Sequence, residues 1–112
     1  MGIWGGDFFD NDAGSAAKAI FDVAIADGLN AADAAKEVLS ELDTMAKDEG
    51  LGSVIYVALA ALLLDQNALS EDIRLKAKES IATGAALKPW ESSESAWFSD
   101  RKNKLNDLLS RL

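Results

Sequence analysis

At 112 residues, with 49% hydrophobic and 27% charged residues, the chain has the composition of one globular domain, which we expect to span residues 1–112. It contains neither histidine nor cysteine, which excludes disulfides, thiolate nucleophiles and histidine-based acid/base catalysis. The formal net charge of −8 arises within residues 1–50, because acidic and basic residues balance in 51–112. This charge repels phosphate backbones, so we expect no nucleic-acid partner and favour a protein partner with a basic surface.

Hydrophobic residues at helical spacing predict an all-α fold, a compact bundle of about five helices. The first helix is predicted at residues 13–27. Its cap is either Asn11 or Asp12, because both side chains can accept a hydrogen bond from a free first-turn N–H. Gly28 suits the left-handed position that ends a helix.

The second predicted helix, residues 31–48, is the clearest amphipathic segment of the chain. Asn30 stands at its cap position, and Gly50 and Gly52 are expected to close it. One face repeats apolar residues every three or four positions, and the other face is charged. This pattern is typical of a surface helix with one side in the core.

The third predicted helix, residues 53–66, is apolar on all sides and is therefore expected to be the central one. Two further helices are predicted at 70–83 and 95–112, joined by a connector around Pro89. The longest apolar run, 54–64, is well short of the ~20 residues that cross a bilayer. With no secretory signal in view, we expect a cytoplasmic protein without a membrane partner.

The opening residues MGIWGGDFFDNDA concentrate glycines, aromatic residues and acids ahead of the first helix. We expect Trp4 and Phe8 to dock this segment onto the C-terminal helix, next to Trp90. The glycines would let the chain turn tightly there. The structural motif predicted on this basis consists of Trp4, Gly5, Phe8, Asn11, Asp12 and Trp97.

The same opening stretch holds the only dense cluster of oxygen ligands, Asp7, Asp10 and Asp12. Hard cations such as Ca²⁺ and Mg²⁺ prefer several such oxygens at once. The spacing does not match an EF-hand, because Phe21 stands where the twelfth loop residue should be glutamate. A capped helix start with solvated acids is the favoured interpretation, with no cofactor, and the three aspartates remain weak metal candidates.

A binding surface is the other interpretation of the unusual residues. An exposed aromatic side chain could anchor a partner, and the acidic face of the second helix would form the rim of such a surface. The candidate partner-binding residues are Asp7, Asp10, Glu37, Glu41 and Trp90.

Both ends of the chain also resemble a known family. The start, Met-Gly-x-Trp-Gly, is followed by Phe8 and by Asp10-Asn11-Asp12, and the end carries Trp90-Glu91, Trp97 and a leucine-rich close. These features resemble the bacterial family called domain of unknown function 4259, whose members look like compact helical proteins. The resemblance spans nearly the whole chain, implies a helical fold and supplies no activity.

Three functions remain open from the sequence. The leading hypothesis is a non-enzymatic protein-binding module, of the inhibitor or immunity-protein type, with a basic target. The first alternative is a divalent-cation or small-ligand site at the N-terminal aspartates, with or without hydrolytic activity. The second alternative is a structural homodimer, so that both a monomer and a homodimer are considered.

Overall fold

The computed structural model describes residues 1–112 and contains six α-helices and one 3₁₀ turn. No two segments pair as a sheet, and Ile3 and Asn11 form a single isolated bridge. The all-α bundle predicted from helical periodicity is therefore confirmed. The helices are α1 (Asp12–Ala26), α2 (Ala31–Glu41), α3 (Asp43–Lys47), α4 (Glu49–Asp65), α5 (Glu71–Ala82) and α6 (Ser95–Arg111), with the 3₁₀ turn at Lys88–Ser92.

Helix α4 is the centre of the bundle, as predicted for residues 53–66. It packs against α1, α2, α3 and α5, and nine of its residues are buried, among them Ile55 and Leu59. A helix that is apolar on every side is stable in water only when neighbours cover all its faces. Neither α4 nor any other helix combines the length and hydropathy that a membrane span needs.

The helix caps follow from single side chains. Asn11 Oδ1 accepts the N–H of Gly14 at 2.7 Å and caps α1. Asn30 Oδ1 accepts the N–H of Asp33 at 2.8 Å and caps α2. Gly28 has a positive φ of 95°, in the left-handed region that glycine tolerates best. These positions agree with the expectations from the sequence, and of the two cap candidates Asn11 fills the role.

The single helix predicted at residues 31–48 is wrong in detail, because the chain forms two helices there. Leu42, with φ −101° and ψ 26°, separates α2 from the short α3. The real break comes at Asp48, whose backbone is extended and whose Oδ1 accepts the N–H of Leu51 at 2.9 Å. Asp48 thus begins α4 and does not continue the preceding helix.

The glycines expected to close the second helix lie inside α4 instead. Gly52 is buried where α3 crosses the start of α4, and a Cβ at this position would collide with the carbonyl oxygen of Ala46. Glycine therefore serves close approach of two helices here, and not chain reversal.

Candidate functional site

The first eleven residues, called the N-terminal loop below, fold back on themselves. The Trp4 N–H donates to the Asp10 carbonyl at 3.0 Å, and the Asp12 N–H donates to the Gly2 carbonyl at 3.0 Å. The Asp12 carboxylate in turn accepts the N–H of Gly2 at 2.7 Å. The two ends of the loop are thereby tied together at the first turn of α1.

The N-terminal loop docks on the 3₁₀ turn and on α6, which confirms the predicted docking on the C-terminal helix. The Trp90 indole N–H donates to the Gly5 carbonyl at 2.8 Å. A Cβ on Gly6 would lie 2.7 Å from the backbone nitrogen of Arg101, so only glycine lets the loop approach this closely. Phe8 packs against a small buried cluster made by Val57, Ala86, Leu105 and Leu108.

Two of the three tryptophans, Trp4 and Trp90, lie in environments other than those expected. Trp4 is 50% exposed, so it does not provide the predicted docking contact, and the Gly5 carbonyl makes it instead. Trp90 was a partner-binding candidate, but it is 0% exposed and belongs to the core. Trp97 is half-buried and packs against the main core cluster, in line with its predicted structural role.

Arg101 is the most unusual residue beneath the N-terminal loop, because its side chain is 0% exposed. Its Nε and Nη2 donate to the Ala86 carbonyl at 3.2 Å and 3.1 Å. The guanidinium carbon lies 3.9 Å from the centroid of the Trp90 ring and 5.6 Å from that of Phe8. The remaining nitrogen, Nη1, is buried without a hydrogen-bond partner.

Burial lowers the pKa of Arg101 to about 10, and the negative charge of Asp7 partly opposes that change. The guanidinium therefore stays charged near neutral pH, enclosed between aromatic rings and a carbonyl oxygen. Sequence reasoning missed this residue, although a signal was present. Arg101 stands four residues after Trp97 and four before Leu105, on the apolar face of α6.

Asp7 lies over α6 beside a lysine. The Asp7 carboxylate is 3.8 Å from Lys104 Nζ, which also donates to Asp100 at 2.9 Å. The hydrogen bond with Asp100 raises the pKa of Lys104, and the charge of Asp7 adds to this effect. Partly exposed pairs of this kind contribute about 1 kcal/mol or less, so they orient the loop more than they hold it.

The three aspartates considered as metal ligands serve separate contacts. Asp7 faces Lys104, Asp12 accepts from Gly2, and the Asp10 side chain lies against Gly5. No three acidic residues are grouped so that they could share an ion. The acids of the N-terminal loop thus close the loop and orient it on α6.

A second surface lies between α1 and α2 and shares no lining residue with the N-terminal loop. Here the two helices leave a groove of about 470 Å³ that is lined mainly by apolar side chains. Val23 on α1 is 61% exposed, and Ile20 and Leu29 are only partly buried. A bundle helix normally turns such residues inward, so this part of α1 lacks a covering element.

Three carboxylates surround the groove. Glu37 and Glu41 come from α2, and Asp27 comes from the end of α1. The acidic rim predicted from the sequence borders an exposed aromatic anchor, whereas no aromatic side chain lines this groove. None of the three forms an ion pair within the chain, since every salt bridge of the structure involves other acids.

The positions of these carboxylates are also electrostatically unfavourable. Asp27 is the C-cap of α1, and Glu41 is the last residue of α2. The C-terminal end of a helix carries partial negative charge and favours a cation, yet neither helix has a basic residue in its last turn. Glu37 and Glu41, four residues apart, also repel each other across one turn. The acids therefore do not stabilise the helices that carry them.

The candidate partner-binding residues are thus divided between two surfaces. Asp7 and Asp10 belong to the N-terminal loop, whereas Glu37 and Glu41 border the α1–α2 groove. The sequence missed Asp27 and Val23 at this groove. An acidic residue at a helix C-cap was the available signal for Asp27, but the exposure of Val23 depends on which helix lies beside it.

No family model matches the chain, and no curated protein or solved structure matches it either. The assignment to domain of unknown function 4259 therefore stays a prediction, based on the opening and closing motifs. The α1–α2 groove and the N-terminal loop are the two features from which a function can be inferred.

Proposed function

We propose that this chain is a non-enzymatic protein-binding module, of the inhibitor or immunity-protein type, that binds a basic partner at the α1–α2 groove. The observation that carries the proposal is the set of three unpaired carboxylates, Asp27, Glu37 and Glu41, around an exposed apolar groove. Cations from a partner would relieve the repulsion within the rim, and apolar side chains would cover Val23.

The charge of the chain supports the same proposal. The whole excess of −8 lies in residues 1–50, the half that includes α1 and α2. A net charge of one sign on a small protein accelerates encounter with an oppositely charged surface. Binding of this kind also needs no histidine, cysteine or cofactor, which suits the composition.

The proposal gives the two groups of acids different roles. Glu37 and Glu41 contact the partner, together with Asp27. Asp7 and Asp10 act in the N-terminal loop, where they face Lys104 and Gly5. The cation-site alternative has no comparable support, since the N-terminal carboxylates take separate contacts.

The test is affinity capture from an extract of the source organism with two charge-matched variants. The groove variant carries Asp27→Asn, Glu37→Gln and Glu41→Gln. The distal variant carries Glu91→Gln, Glu94→Gln and Asp107→Asn, three exposed acids that also lack ion-pair partners. Both variants lose the same charge, so a difference between them reports the place of binding and not the net charge.

We expect a protein with a basic surface to be retained by the original chain and by the distal variant, and to be lost from the groove variant. The affinity of the purified complex should fall as salt is added. Equal retention by both variants would contradict the proposed site. A complex that does not respond to salt would contradict the basic partner.

A further inference from the structure

We infer that the element of the partner that occupies the α1–α2 groove is an amphipathic helix, with apolar residues facing Val23 and lysine or arginine residues facing the acidic rim. This inference rests on the proposed function, and it adds the shape and chemistry of the partner. It depends on three features of the groove: its direction between two helices, its apolar floor and its charged border.

The shape of the groove suits a helix. The turn between α1 and α2 is short, at residues 27–30, so the two helices are antiparallel neighbours with a furrow between them. On α1 the groove runs from Ala19 to Asp27, which corresponds to about 12 Å along the axis at 1.5 Å per residue. That length accommodates roughly two turns of a third helix, enough for apolar anchors spaced at i, i+3 or i+4, and i+7.

The acidic border of the groove favours basic residues on the flanks of the partner helix. Asp27, Glu37 and Glu41 all border the groove, and no basic residue lines it. Lysine and arginine side chains carry their charge at the end of an apolar stem, so they can cover apolar surface while the charged group reaches the rim. A partner helix with acidic flanks would add to the repulsion that already exists between Glu37 and Glu41.

A second copy of this chain suits the groove less well. A two-fold contact places the same patch of both copies face to face, so Glu37 and Glu41 would meet their own equivalents without any cation between them. All helices of residues 1–112 are packed in the bundle, where α6 contacts α5 and the 3₁₀ turn. Neither a helix of residues 1–112 nor a second copy is therefore expected in the groove, and the acidic border favours a basic helix of a partner protein.

The experiment uses three synthetic peptides of about 18 residues, or roughly five helical turns. The first is built from leucine, alanine and lysine with the leucines on one helical face. The second has the same composition in scrambled order, and the third has glutamate in place of lysine. Binding is followed by fluorescence anisotropy of the labelled peptide, and its place by the amide NMR shifts of the isotope-labelled chain.

We expect the amphipathic lysine peptide alone to bind, with shifted amides concentrated in α1 and α2. Val23→Ser should weaken its binding about tenfold, because the apolar contact is lost, while the chain stays folded since Val23 is exposed. Leu75→Ser is the matched control, because Leu75 is an exposed apolar residue on α5. The groove variant should lose binding, and the distal variant should retain it.

Other outcomes would overturn the inference in distinguishable ways. Equal binding of the scrambled peptide, or no effect of Val23→Ser, would show that charge alone is recognised; the proposed function would survive and the helical partner would not. Self-association that Val23→Ser abolishes would assign the groove to a second copy. Native-partner capture that is unchanged in the groove variant would reject the proposed function itself, whatever the peptides do.

Discussion

At the scale of single residues, Arg101 connects three parts of the chain that are distant in sequence. Its side chain reaches from α6 to the Ala86 carbonyl and lies against the Trp90 ring, which in turn donates to the N-terminal loop at Gly5. A buried charge is unfavourable by itself, and the lowered pKa expresses that cost. The hydrogen bonds and the aromatic contact offset the cost of burying this charge. The role of Arg101 is therefore to hold these three segments together through its contacts.

Replacement of Arg101 should therefore separate its contacts from its charge. Arg101→Ala leaves a cavity and an unsatisfied Ala86 carbonyl, and it should lower the free energy of unfolding by about 2–4 kcal/mol. Arg101→Lys keeps the charge but loses the planar stack and one of two bonds, with an expected loss of about 1–2 kcal/mol. Urea denaturation measures both, with Lys102→Ala, an exposed neighbour, as the control. An Arg101→Ala variant as stable as that control would contradict the role assigned here.

At the scale of elements, the N-terminal loop behaves as part of the core although it contains no helix or strand. Its backbone supplies the acceptor for Trp90, and Phe8 contributes to the cluster that also receives residues of α4 and α6. The loop therefore covers side chains that would otherwise be in contact with water. A variant that weakens the docking of the loop should therefore also lower the free energy of unfolding.

Removal of residues 1–9 should lower the free energy of unfolding by at least about 2 kcal/mol, because Phe8 and the acceptor of Trp90 are lost. Two point variants refine this test. Phe8→Ala should account for much of the loss, whereas Trp4→Ala should change stability by less than about 1 kcal/mol, since Trp4 is half exposed. Thermal melting monitored by circular dichroism is sufficient. An unchanged melting temperature after truncation would refute the docking.

The junction of α3 and α4 provides a second prediction at this scale. In Gly52→Ala the added methyl group collides with the Ala46 carbonyl, so we expect a loss of about 1–3 kcal/mol and a displaced α3. In Gly50→Ala the added group is 3.6 Å from the Asp48 carboxylate, an ordinary contact, and helix propensity should raise stability by up to about 1 kcal/mol. Chemical denaturation should therefore show a lower free energy of unfolding for Gly52→Ala and a higher one for Gly50→Ala. Equal effects would show that the junction is not closely packed.

At the scale of the whole molecule, charge is distributed unevenly, with the excess of −8 in residues 1–50, and three acids of that half border the α1–α2 groove. Asp27, Glu37 and Glu41 stand without partners, two of them at helix ends that favour cations. Residues that weaken the free protein and remain accessible are typical of binding sites, where function and stability conflict.

Neutralising this rim should therefore make the free protein more stable. The double variant Glu37→Gln, Glu41→Gln should raise the free energy of unfolding by about 0.5–1 kcal/mol, because one like-charge pair and one unfavourable helix-end charge are removed. Glu91→Gln with Glu94→Gln removes as much charge elsewhere and should change stability less. Chemical denaturation at low and high salt measures both, and the difference should shrink as salt is added. A destabilised rim variant would show that these acids serve the fold.

Much of the helical framework was predictable, because caps and periodicity are local. Asn30, Gly28 and the apolar character of α4 on all its sides each depend on a few neighbouring residues, and in each case the structure agrees with the prediction. The break at Asp48 was missed because Gly50 and Gly52 also fit a helix end, and only contact with α3 shows that they belong to α4. Trp4 and Trp90 were misplaced for a similar reason: hydrophobicity does not tell which of two large residues the core will accommodate.

The sequence by itself determined an all-α bundle, the central position of α4, the cap of α2 and the acidic face with Glu37 and Glu41, and it narrowed the cap of α1 to Asn11 or Asp12. These depend on local hydrogen bonds and on hydrophobic spacing, which a linear sequence records directly. Only the tertiary structure decided that Arg101 is buried, that Trp4 is exposed and that Val23 lies open between three carboxylates. Burial and exposure depend on which elements become neighbours, and that is settled by the joint packing of distant segments.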